Sequence, residues 1–177
     1  MPTKQESKFW YTPSYIFEPE IQASMAYPEK VELCDLSLDE NGEGMAGVHM
    51  TVKEKIAVAR LLDEIGIHRI GVLGYPSPIS KREVSAAKKI TRLGLKAKFQ
   101  ALASSKDDVD CAIEAGVWGV VLRKPCSDLY SVIAEPIEKK TGDFIQLGSY
   151  ARANGLQVGM LAQDITRADP LATEQLL

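Results

Sequence analysis

The sequence predicts an α/β protein in which parallel strands alternate with helices, and three observations carry that reading. Short β-branched runs begin near Val31, Ile67, Leu95, Val117 and Leu156, and their intervals of about 22 to 39 residues suit a strand, a crossover helix and a return loop. The amphipathic segments between them open on capping residues and close on glycine. The third run alternates Leu95, Ala97, Phe99 and Ala101 with Lys96, Lys98 and Gln100. A parallel strand covered on both sides reads almost continuously apolar, so one face of this strand is expected to look inward, away from the helices.

Taken in order, residues 1–30 read as an extension rather than a domain, with Trp10, Tyr11, Tyr15 and Phe17 among Pro13, Pro19 and Pro28 and no sustained period. Those aromatics either pack onto their own chain, plug the bottom of a barrel or cover a subunit surface. The first strand, Val31-Glu32-Leu33-Cys34-Asp35, runs into an acidic, glycine-rich loop. The first helix opens at the capping box Thr51-x-x-Glu54 and closes at Gly66. Ile56, Ala57, Ala59, Leu61 and Ile65 fall largely on one broad face, leaving Lys53, Lys55, Arg60 and Glu64 as a solvated one.

Ser80-x-x-Glu83 opens the second helix, and Gly94 and Gly116 are expected to end the second and third in left-handed caps. The fourth connection contains Pro136 and Thr141-Gly142, which predict a short helix and then a second one from about Phe144 to Asn154. The fifth strand covers residues 156–162, a charged loop follows to Asp169, and a helix begins near Pro170. Five strands are three short of an eightfold barrel, which typically takes about 250 residues. The pattern therefore admits an incomplete barrel, completed or not by another chain, or an open doubly wound sheet of receiver type.

Composition narrows the function. A 45% hydrophobic and 25% charged chain of 177 residues is an ordinary globular domain. Its net charge of -3 provides no basic field to hold a polyanion, so nucleic acid is not an expected partner. Cys34, Cys111 and Cys126 are odd in number and lack C-x-x-C spacing, against both a disulfide framework and a zinc knuckle and in favour of a reducing compartment. No run approaches the roughly 18 apolar residues of a membrane span, and the polar first residues lack a signal core. A cytoplasmic protein with no membrane partner is expected.

The order of short motifs adds a family. Asp35-Leu36-Ser37-Leu38, a charged loop with Gly42-Glu43, then Gly47-Val48 and Thr51-Val52-Lys53-Glu54-Lys55 resemble the opening of the DRE-TIM metallolyases, D-T-T-L-R-D-G-E-Q followed by G-V and x-[ST]-x-E-E-K. Gly74-Tyr75-Pro76 resembles their G-F-P, Ser127-Asp128-Leu129-Tyr130 their S-D-L-H/Y, and Asp164-Ile165-Thr166-Arg167-Ala168-Asp169 their E-D-A-x-R-[ST]-D. The resemblance implies a TIM (β/α)8-type barrel, with about the first five βα units in residues 31–177. It also implies the chemistry of isopropylmalate synthase, homocitrate synthase and hydroxymethylglutaryl-CoA lyase. That chemistry is Claisen or aldol carbon–carbon bond formation or cleavage on a 2-oxo acid and an acyl-CoA, with a divalent metal (Mg²⁺, Mn²⁺ or Zn²⁺) polarising the carbonyl.

The departures fall on the reactive positions. The family's first-loop arginine and metal-binding aspartate fall on Asp39 and Glu40 counted from Asp35, or on Glu40 and Asn41 counted back from Gly47. Its strand-two glutamate falls on Gly71 or Val72, its strand-five glutamate on Gln163, and its late H-x-H has no counterpart, since the two histidines, His49 and His68, are both early. Asp39 and Glu40 remain the candidate metal carboxylates, within a loop whose composition favours a solvated turn.

On physical grounds Lys98 and Gln100 are candidate ligand contacts, with a lysine snorkelling from the barrel's end as the alternative for the former. Arg123 and Lys124 close the fourth strand, one of them facing inward where it could hold a carboxylate or phosphate. Ser127 and Asp128 suit a helix cap, and Ser127 is also a candidate substrate contact; Arg167 with Asp169 reads as a loop-fixing ion pair. Against the enzyme reading stands a catalytically degenerate barrel subunit with a binding or assembly role. Either way an unfinished barrel predicts a homo-oligomer or a complementing chain.

Overall fold

The computed structural model describes residues 17–26, 28–39, 50–74, 78–127, 137–168 and 174. Two compact units separate, Met1–Val31 and Glu32–Leu177. In the first, Pro19–Ser24 forms one short helix, α1, with no buried residue. Trp10, Tyr11 and Tyr15, which carried the expected aromatic packing, lie outside the described residues.

The second unit is a five-stranded sheet. β1 (Cys34–Asp35), β2 (Arg69–Leu73), β3 (Lys98–Ala103), β4 (Gly119–Pro125) and β5 (Gln157–Gln163) stand side by side in chain order, and every pair is parallel. Their connections carry α2 (Val52–Glu64), α3 (Lys81–Thr91), α4 (Lys106–Ala115) and α5 (Ile137–Ala153). Crossovers between parallel strands are right-handed, so a strictly sequential order takes every helix to the same face. A doubly wound sheet instead reverses its order at a switch point and is covered on both faces. The open doubly wound alternative is thereby excluded. The five strands form a half-barrel whose outer face is covered by helices.

The core fills the space between strands and helices. Ile70, Val72, Phe99, Ala101, Val120 and Leu122 meet Ala59, Val84, Ala87, Ile90, Val109 and Ala112 there. Alanines on the helix side let backbones approach closely, while the larger residues come mainly from the strands. The helix ends follow the sequence signals. Thr51 and Glu54 make the full capping box, and Gly66, Gly94 and Gly116 take φ of 87°, 68° and 71°, conformations that only glycine adopts without cost.

Three expectations need correction. Lys55 is not on a solvated face: it is buried, paired with Glu83 of α3, whereas Leu61 and Ile65 are 58% and 72% exposed. The inward stripe of α2 is buried Lys55 and Ala59 with half-buried Val52, Ile56 and Leu62, which a count of apolar residues misplaces because one of its members is charged. Ser80 caps α3 by accepting from the Glu83 N–H, but the reciprocal half of the box is absent, because the Glu83 carboxylate has turned to the buried Lys55 ammonium. Finally, α5 runs unbroken through Thr141-Gly142. A single glycine costs a helix about 1 kcal/mol, too little by itself to end one whose Phe144, Leu147 and Tyr150 pack against the core.

Candidate functional site

Parallel register makes neighbouring residues point the same way, which assigns the inner face strand by strand. Gly71 pairs with Gln100 and Gln100 with Gly119; Arg123 pairs with Leu161 and Pro125 with Gln163. Since Phe99, Ala101, Val120 and Leu122 belong to the helix-covered core, Gln100, Arg123 and Gln163 line the inner face and Lys124 does not. Arg123 and Gln163 stand at the C-terminal ends of their strands, the end at which barrels of this type hold their sites.

The first loop is built by a turn. The Asp35 carboxylate accepts from the Ser37 N–H at 2.9 Å and from its hydroxyl at 3.1 Å, and the Asp39 N–H closes onto the Leu36 carbonyl. This turn of Asx type sends Leu38 into full burial and leaves Asp39 only 5% exposed. Asp39 then lies against the two glycines of the second strand and its exit, its carboxylate at Gly71 and its backbone carbonyl at Gly74. A Cβ built on Gly71 would meet Asp39 Oδ2 at 2.6 Å, and one on Gly74 would meet Leu102 Cβ at 3.1 Å and the Asp39 carbonyl at 3.4 Å. Of the two slots left open for the strand-two glutamate, Val72 is in the core and Gly71 faces inward. The irregularity between Gly71 and Leu73 takes up the extra residue.

Beside this carboxylate, Gln100 is 7% exposed and directs its amide nitrogen at Cys34 Sγ, 3.3 Å away. Burial pushes the Cys34 thiol up; Arg69 opposes the shift, and Asp39 and Asp35 add to it. The neutral thiol is thus favoured, and Cys34 is not poised as a nucleophile. Lys98 stands at the opposite end of β3, with its ammonium 4.8 Å from the centroid of the Trp118 ring. A cleft of about 360 Å³ opens there, lined among others by Glu32, Asp63, His68 and Lys96. His68 Nδ1 accepts from the Leu33 N–H at 3.3 Å, which gives that histidine a local backbone role.

At the exits of β4 and β5 lies a second polar group. Ser127 is 1% exposed, and its hydroxyl donates to Asp164. Asp164 also receives Arg167 Nε, at 2.7 Å. The Ser127 bond and then the Arg167 guanidinium hold the Asp164 carboxyl below the usual range. Arg167 therefore takes Asp164 as its partner; Asp169, its expected one, lies outside the described residues, as do Asp128 and the segment that Ser127 was expected to cap. Sequence reasoning passed over Asp164 as a site residue. The signal it lacked was the backbone: Asp164 has φ 59°, the one non-glycine residue with positive φ among those described.

A divalent cation finds no cage among these residues. Among the described residues no three His, Cys, Asp or Glu side chains come together as a metal-holding group. Asp39 presents one carboxylate against Gly71, Glu40 lies outside the described residues, and His68 is at the other end of the sheet. One protein carboxylate is a poor match for ions that prefer several oxygen ligands in a fixed frame. The described donor set does not fit the metal that the resemblance implies.

Comparison with known proteins gives the same family from several directions. The HMGL-like family model matches residues 30–176. Homocitrate synthase AksA of Methanothermobacter thermautotrophicus is 34% identical over 151 residues, 84% of this chain and 38% of its own length. Homocitrate synthase subunit alpha of Clostridium pasteurianum is 31% identical over 144 residues, 78% of this chain and 52% of its own. Among solved structures, the HMG-CoA lyase of Brucella melitensis superposes with a TM-score of 0.66 at 18% identity, covering 84% of this chain and 58% of that one. The chain thus spans between 38% and 58% of the length of these relatives.

Proposed function

Because this chain belongs to the HMGL-like family, we propose that its strand ends form part of a site for making or breaking a carbon–carbon bond between a 2-oxo acid and an acyl-CoA. The observation that supports this most is that Asp39, Gln100, Arg123 and Gln163 share the inner face of the sheet, with Arg123 and Gln163 at the C-terminal strand ends where such barrels bind substrate. Arg123 is the group suited to a substrate carboxylate and Gln100 a hydrogen-bonding group on the same face, whereas Ser127, expected as a substrate contact, is buried with its hydroxyl on Asp164. Residues 31–177 act in this reading as a partial barrel domain behind an N-terminal extension, in a cytoplasmic protein.

One observation favours the degenerate alternative. In one of the two registers the resemblance allows, its arginine falls on Asp39, and there the chain sets a carboxylate against Gly71. A negative charge at that place opposes the enolate and oxyanion charge that an arginine would stabilise. With the metal donors also incomplete, residues 1–177 alone are expected to show no micromolar Mn²⁺ affinity by calorimetric titration. They are also expected to release no thiol from acetyl-CoA in the presence of a 2-oxo acid. Micromolar affinity abolished by Glu40→Gln, or thiol release that depends on the 2-oxo acid, would instead make the acidic loop a working site.

The half-barrel bears on assembly as well. Among the described residues β1 and β5 each pair on one side only, and Leu161 of the inner face is 42% exposed. Unpaired parallel edges beside an uncovered inner wall invite a further strand. We propose that β5 pairs with the next strand of a completed barrel, supplied by a complementing chain or a second copy. Light scattering at micromolar concentration is expected to show a species larger than the 19.4 kDa monomer. A stable compact monomer would contradict this.

A further inference from the structure

The group at the exits of β4 and β5 is more elaborate than a loop anchor requires. The two strands stay paired to Pro125 and Gln163, and the Cys126 N–H adds a bond of 2.9 Å to the Gln163 carbonyl. Ser127 and Asp164 are the first residues beyond that ladder, side by side at the C-terminal end of the sheet. Asp164 is held in a left-handed conformation, φ 59° and ψ 30°, which costs a residue with a Cβ on the order of 1 kcal/mol. Its two carboxylate oxygens are divided: Oδ2 takes the hydroxyl of buried Ser127 and Oδ1 takes Arg167 Nε. Both ties point Asp164 at its neighbours and fix the plane of the guanidinium.

The Arg167 side chain is 62% exposed, and its contact to Asp164 is through Nε alone among the described residues. An arginine retained for an ion pair usually meets the carboxylate through two parallel N–H bonds. Here neither terminal amino group bonds to Asp164 among the described residues. An exposed ion pair contributes about 0.2–1 kcal/mol, no more than the backbone strain it accompanies, so stability alone is a weak account of the arrangement. We propose that Arg167 is an anion-binding arm of the barrel mouth, with its terminal amino groups receiving the oxygens of a carboxylate or phosphate and with Asp164 and Ser127 as its positioning residues. This rests on the proposed reading that the mouth takes anionic substrates, and it adds the group that meets one of them.

The test is calorimetric titration of the full chain with three probes: 2-oxoglutarate, coenzyme A and inorganic phosphate. Arg167→Ala is expected to weaken one of them about ten- to hundredfold, and Arg167→Lys less, since an ammonium keeps the charge but loses the fork. Ser127→Ala is expected to weaken the same probe by a smaller factor with Arg167 intact. Loss confined to 2-oxoglutarate identifies a carboxylate subsite; loss confined to coenzyme A and phosphate identifies a phosphate subsite. Binding of phosphate alone, still dependent on Arg167, would keep the arm and remove the 2-oxo acid and acyl-CoA reading. Binding of any probe that Arg167→Ala leaves unchanged, with the variant's thermal unfolding confirming its fold, overturns the arm, as does the absence of binding of all three to the unmodified chain.

Discussion

Gly71→Glu is expected to cost the folded chain about 3–5 kcal/mol, the range found when an uncompensated charge is left buried. The reason is local. The new Cβ would lie 2.6 Å from Asp39 Oδ2 and 3.0 Å from its Cγ, closer than nonbonded atoms approach, and overpacking of that kind alone costs about 1–3 kcal/mol. A second carboxylate would then stand beside one that is 5% exposed, so at least one must take up a proton on folding. A carboxyl whose folded pKa is raised binds more protons folded than unfolded, so the variant's stability should rise as the pH falls from neutral. Urea unfolding of Gly71→Glu, Asp39→Ala and the double variant would measure the coupling. The double variant is expected to recover about 1–3 kcal/mol. A Gly71→Glu cost that does not depend on residue 39 would show that the two positions are not in contact. The combination Asp39→Arg with Gly71→Glu puts an arginine and a glutamate at positions where the family resemblance allows them, and is where thiol release should first appear if the rest of the barrel is supplied.

Much of this fold is legible in the sequence because it rests on local signals. Glycines at helix ends need a positive φ that no other residue supplies cheaply, and Gly66, Gly94 and Gly116 stand where helices stop. The alternation at 95–101 marked an inner face, and Gln100 lies on it. What failed was non-local. Nothing near Lys55 in sequence says that Glu83 will neutralise it, so a buried lysine reads as a surface one. The capping box of α4, Ser105 with Asp108, was missed because aspartate stands where glutamate or glutamine is usual. At the candidate site the sequence located the acidic loop and the departures within it. The contact between Asp39 and Gly71 depends on a turn and on a strand irregularity that no spacing rule specifies.

Lys55→Met is the other substitution expected to weigh heavily, at about 3–5 kcal/mol of lost stability. The Lys55 side chain is 3% exposed and that of Glu83 13%, and the ammonium meets Glu83 Oε2 across the α2–α3 interface. Methionine keeps most of the lysine stem and its packing beside Ala59 while removing the charge, so the loss reports the stranded carboxylate rather than a cavity. Glu83 has one local recourse. Its side chain can return to the Ser80 N–H and complete the capping box that it now leaves open, which would offset the loss by about 1 kcal/mol. Adding Glu83→Gln removes the stranded charge, and a buried ion pair exchanged for neutral groups is often neutral or even stabilising. The double variant is therefore expected to unfold within about 1 kcal/mol of the unmodified chain, with each single variant well below it. Equal urea midpoints for Lys55→Met and the double variant would mean that Glu83 tolerates the loss of its partner. The pair would then be a consequence of helix packing rather than a cause of it.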